Sequence, residues 1–112
     1  MKRKVMVMAD PVFAPGQEKT ATVTFEVRPA GLSCTVELWL SRDGVSKDAT
    51  SGIKAFTSTG AGQSVSLPVV MPVGGYAYQV LLDVFTDSML ISAYEATEQV
   101  LVPWVGEPVV EW

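Results

Sequence analysis

Between Gly74 and Tyr94 the chain reads GGYAYQVLLDVFTDSMLISAY, two apolar runs joined at Thr86-Asp87-Ser88. A period of two places Tyr76, Tyr78, Val80, Leu82 and Val84 on one face and Ala77, Gln79, Leu81, Asp83 and Phe85 on the other. Both faces are apolar enough to need cover. A strand of this kind sits in the middle of a sheet, so the remaining sequence has to supply strand neighbours and a second layer.

The rest of the sequence supplies them. Lys4 to Ala9 is a strand candidate, ended by Pro11 and by the turn at Pro15-Gly16. Thr20 to Arg28 alternates cleanly, with Val23, Phe25 and Val27 inward and threonines and charges outward. Ser33 to Ser41 places Cys34, Val36, Leu38 and Leu40 inward and leaves Thr35, Glu37 and Trp39 on the outer face. Asp43-Gly44 is a turn signal, because this pair tolerates positive φ, and it leads to a short edge strand near Val45 to Ala49. Ile53 to Ser58 follows as a second edge piece. Gln63 to Met71 then aims Val65, Leu67, Val69 and Met71 at the core, with Pro68 on the other face. The second strand of the hairpin runs from Met89 to Val102, bent at Glu95-Ala96-Thr97-Glu98, where the alternation fails.

Seven to eight short strands with turns about every ten residues predict an all-β chain, an antiparallel two-sheet β-sandwich in immunoglobulin-like order. At 112 residues the chain is one domain (1–112), with a core over about 5–102. The segment Pro103 to Trp112, PWVGEPVVEW, is too Pro-rich for a central strand and too apolar for a disordered end. It is expected to be ordered, either against the outer face near Trp39 and Phe85 or against a neighbouring copy by strand addition.

Gly75-Tyr76-x-Tyr78-x-Val80-x-Leu82-Asp83, followed by Glu95-x-x-Glu98, resembles the last hairpin of the bacterial cell-adhesion-related domain. More loosely it is similar to fibronectin type III-like modules, and the resemblance extends over Thr20 to Val102. It implies an immunoglobulin-like sandwich. The corresponding acidic segment of that family is Asn-rich, whereas Thr97 and Gln99 stand here, so no metal or adhesion residue is carried over. The Cys, Trp, Cys spacing of antibody domains is also missing.

The residue inventory bounds the chemistry. There is no His, and the single Cys34 falls on a core-facing position, which reads as a buried structural thiol rather than a nucleophile. No histidine-based triad or metal site can be built, and no phosphate-binding or calcium loop motif is present. Glu95 with Glu98, or Asp83 with Asp87, are formally carboxylate pairs, yet the chain is small for a glycosidase cleft. Asp43, Asp48 and Asp87 read as turn residues. No cofactor and no metal are expected.

A net charge of −4 excludes the basic footprint that nucleic acids require, and the run Lys2-Arg3-Lys4 reads as a solvated end. Val5 to Ala9 is too short for the apolar core of a signal peptide, so with Met1 as start the chain is expected inside the cell, on a virus particle or exported otherwise. Only 18% of residues are charged against 48% hydrophobic, which points to apolar surface used for contact. Trp39, Leu81 and Phe85 would form an apolar patch on neighbouring strands, with Trp104 and Trp112 beyond them. Three explanations of that patch stand side by side: cover by the chain's own ends, contact with another protein or copy, and stacking of Trp39 on a sugar. The expected function is a non-enzymatic structural or interaction module, self-assembling or docked on a virion or cell surface. The alternative is a carbohydrate-binding module that uses an exposed Trp or Tyr.

Overall fold

The computed structural model of the chain describes residues 3–112, so Lys2 of the basic run lies outside the described residues. Among them the chain forms β1 (Lys4–Met6), β2 (Glu18–Glu26), β3 (Ser33–Ser41), β4 (Ala49–Thr50), β5 (Lys54–Thr57), β6 (Gly62–Val70), β7 (Tyr76–Thr86), β8 (Met89–Ala96) and β9 (Val100–Val102). The expected central hairpin is β7 and β8. Its turn is Asp87-Ser88, both at positive φ (47° and 65°), the two-residue geometry whose twist matches that of the flanking strands.

β7 is the centre of the larger sheet because it has strand neighbours on both edges. β3 runs antiparallel on one side with Leu38 opposite Leu82, and on the other side β8 takes the second half of β7 and β9 the first. β4 and β5 cover opposite ends of β3, and β1 pairs with β8. The result is a seven-stranded sheet of order β1-β8-β7-β3-β4, with β5 beside β3 and β9 beside β7. β2 and β6 make a separate two-stranded sheet, in register from Glu18 opposite Val70 to Glu26 opposite Gly62.

Three expectations are corrected. The larger sheet is mixed, because β1 lies parallel to β8. β1 is joined to β2 in the other sheet by a long connection, so no hairpin forces it antiparallel. Nine strands replace seven to eight, since the bend at Thr97-Glu98 divides the last strand into β8 and β9. Val45 to Ala49 is mostly loop: the Asp43 carboxylate accepts from the Val45 and Ser46 amides, and Asp48 accepts from Arg42 N, so the ladder resumes only at Ala49.

The inward sets named from the sequence meet in one core. Val36, Leu38 and Leu40 of β3 and Val80, Leu82 and Val84 of β7 face Val65, Leu67 and Val69 of β6, with Tyr78 closing one end. The hydroxyl of the buried Tyr78 donates to Val73 O at 2.5 Å, which satisfies its only polar group. Cys34 is buried and unpaired, as its parity requires. The two sheets share this core without closing: among the described residues β2 and β6 pair only with each other.

Candidate interaction site

The register that puts Leu38 opposite Leu82 on the core side puts Trp39 opposite Leu81 and Glu37 opposite Asp83 on the outer side. The expected neighbours are therefore neighbours. Of the three explanations of the patch, cover by the chain itself is the one seen: Trp39 is 5% exposed, Leu81 1%, and Phe85 is half-buried. What covers Trp39 is charge. Arg3 donates to Asp83 Oδ1 at 2.7 Å and to Tyr94 O at 3.2 Å, with its guanidinium 5.4 Å from the Trp39 ring centre. Lys47 donates to Glu37 Oε1 at 2.7 Å, and its ammonium also stands 5.4 Å from that ring. The indole Nε1 donates to Asp83 Oδ2 at 2.9 Å, and Thr50 Oγ1 donates to Glu37 Oε2 at 2.5 Å.

The physical logic of the cluster starts from Glu37 and Asp83. Two carboxylates directly opposite on adjacent strands repel, and both residues are buried. Each is therefore matched by one cation and one neutral donor, and each cation also lies within cation–π range of the Trp39 ring. Arg3 is thus no solvated end charge, and Lys47 is carried into place by the Ser41 to Asp48 loop. In that loop Gly44 stands at φ 78°, and any Cβ there would meet Gln79 Oε1 at 3.0 Å. Backbone donors from Ser46 and Val45, with the Ser41 hydroxyl, hold the Asp43 carboxyl down to about 2. This Glu37/Asp83 cluster was not foreseen from the sequence. The readable signal is that both acids share the outward parity of two strands that pair.

The carboxylate pairs named from the sequence do not make an acid/base couple. Asp83 is committed to Arg3 and Trp39, and Asp87 lies in the turn, roughly 13 Å further along the chain at the strand repeat. Glu95 stands opposite Leu81 on β8, while Glu98 pairs with Asp10, whose hydrogen bond and charge push the Glu98 carboxyl upward. Among the described residues no three His, Cys, Asp or Glu side chains gather as a metal site.

Exposed apolar surface lies elsewhere. Trp104 is 70% exposed, and Val105, Val109, Val110 and Trp112 are exposed with it, so the segment does not lie against Trp39 and Phe85 as one expectation had it. The outer face there is already filled by Arg3 and Lys47. The segment leaves the body where Gly74 lets Pro103 O and Pro15 approach its Cα, a space a Cβ would occupy. The molecule measures 67 × 24 × 22 Å, whereas its longest strand accounts for about 37 Å at 3.4 Å per residue. Beside β2 the core is also uncovered. One groove of about 430 Å³ between β2 and the Met6 to Phe13 segment reaches Leu38, Leu40 and Val80, and a second of about 620 Å³ continues between β2 and β8. Ser92 Oγ, without a hydrogen-bond partner among the described residues, lines the second.

Compared with protein-family models, with curated proteins and with solved structures, the chain finds no match.

Proposed function

We propose that the chain is a non-enzymatic, immunoglobulin-like interaction module that assembles with copies of itself or docks on a larger structural partner, as on a virion or cell surface. The exposure of the apolar segment Pro103 to Trp112 carries this reading. A fully buried large apolar side chain contributes about 1.5–3 kcal/mol, so a folded chain that leaves two tryptophans and three valines in water has a strong drive to cover them by association. The division of strands supports the immunoglobulin-like part: β2 and β6 on one side, and β3, β7 and β8 on the other, follow the chain order of such sandwiches. The resemblance to bacterial cell-adhesion-related domains fits the same reading.

Deleting Pro103 to Trp112 tests the proposal. Because the segment makes few contacts with its own body, the truncated chain should melt close to the intact one while losing association in light scattering. An intact chain that stays monomeric when concentrated would count against the proposal. The carbohydrate alternative loses Trp39 as a platform, since that ring is covered, and rests on Trp104, Trp112 or Tyr76. Binding on a glycan array that a Trp104→Ala variant loses would favour it.

A further inference from the structure

Building on the self-assembly reading, we infer that the Pro103 to Trp112 segment of one copy adds as an antiparallel strand to the open edge of β2 in the next copy. The acceptor follows from Pro68. It stands opposite Thr20 and has no N–H to give, which suits a non-hydrogen-bonded pair. The alternation of the ladder then turns the N–H and C=O groups of Thr20, Thr22 and Thr24 away from β6, toward the edge that no described strand covers.

The donor fits that edge in length and pattern. Nine residues of β2 span about 31 Å and ten residues of the segment about 34 Å. In extended form Trp104, Gly106, Pro108, Val110 and Trp112 share one face, and Val105, Glu107, Val109 and Glu111 share the other. With the first set turned into the groove, both glutamates face solvent.

Pro108 fixes the direction. In an antiparallel ladder the groups bonded to Thr20, Thr22 and Thr24 belong to residues whose side chains face the same way as theirs, outward, so Val105, Glu107, Val109 and Glu111 make the bonds and Pro108 is not asked for an N–H. In a parallel ladder the bonding residues would be the inward set, and Pro108 would break it. The same requirement excludes the chain's own edge. Pro103 lies beside Pro15 and Gly74, at the Glu18 end of β2, so a segment folded back on its own body would run parallel to β2. Antiparallel addition takes the donor to the Glu26 end of another copy. The contact is therefore head to tail, and repeated it builds an open chain of subunits.

Two full-length variants test this. Val110→Glu with Trp112→Glu spoils the donor at side chains that are exposed in the monomer. Thr22→Pro blocks the acceptor at an N–H that β6 does not use. Each variant alone should be monomeric, and the two mixed should form a one-to-one dimer, because one keeps the edge and the other the segment. Should Thr22→Pro fail to fold, amide exchange decides: Thr20, Thr22 and Thr24 should exchange about tenfold or more slower in the intact chain than in the donor variant, with Ala21 and Val23 slow in both. Assembly that persists in the donor variant overturns strand addition and leaves the interaction module standing. So does equal exchange of the three threonine amides in both chains. An intact chain that is monomeric at every concentration overturns both.

Discussion

Asp83 does more than any other single side chain on the outer face, because it holds Arg3 and the Trp39 indole together at 2.7 and 2.9 Å. Asp83→Ala leaves the buried indole N–H without its acceptor and the Arg3 guanidinium with Tyr94 O but no carboxylate, a loss of about 1–3 kcal/mol by urea denaturation. Asp83→Asn, which keeps one acceptor for the indole, should cost less, and equal costs for the two would argue that packing rather than the hydrogen bonds matters. Lys47→Ala should cost about 1–3 kcal/mol, since it leaves the buried Glu37 carboxylate, opposite Asp83, with only the Thr50 hydroxyl as partner. Asp43 makes a separate, pH-dependent prediction. Its folded-state value is depressed, so its contribution is fully present above the ordinary carboxylate value of about 3.9 and is lost as pH falls toward about 2. Melting temperature should therefore drop more steeply between those values in the native chain than in Asp43→Asn.

At the level of elements, the Asp87-Ser88 turn holds two non-glycine residues at positive φ. Asp tolerates this conformation better than Ser does. Ser88→Gly should stabilise the β7–β8 hairpin by about 0.5–1 kcal/mol, read as a raised melting temperature, and an unchanged or lowered value would show that the turn is not strained there. The strands themselves were legible in the sequence because period two needs only local information: Val36, Leu38 and Leu40, Val65, Leu67 and Val69, and Val80, Leu82 and Val84 all face the core as their parity requires. What escaped is what parity cannot carry. The parallel pairing of β1 depends on where a long connection delivers it, and the cover on Trp39 depends on Arg3, far away in sequence, and on Lys47, in a loop that looked like strand until Asp43 captured its amides. Of the three explanations of the outer face, cover by the chain itself is the one seen, with Arg3 near the chain's start as one cover and the Lys47 loop, which parity could not place, as the other.

For the whole molecule, the features that matter are a core left uncovered along β2 and an apolar segment left in water beyond β9. Each is costly to a solitary chain, and each complements the other in parity and length. Sedimentation velocity of the intact chain over a wide concentration range measures the consequence directly. The account predicts species at multiples of 12.0 kDa whose weight-average mass rises with concentration, as open head-to-tail growth requires. A single 12.0 kDa species throughout, up to the highest concentration reached, would contradict it.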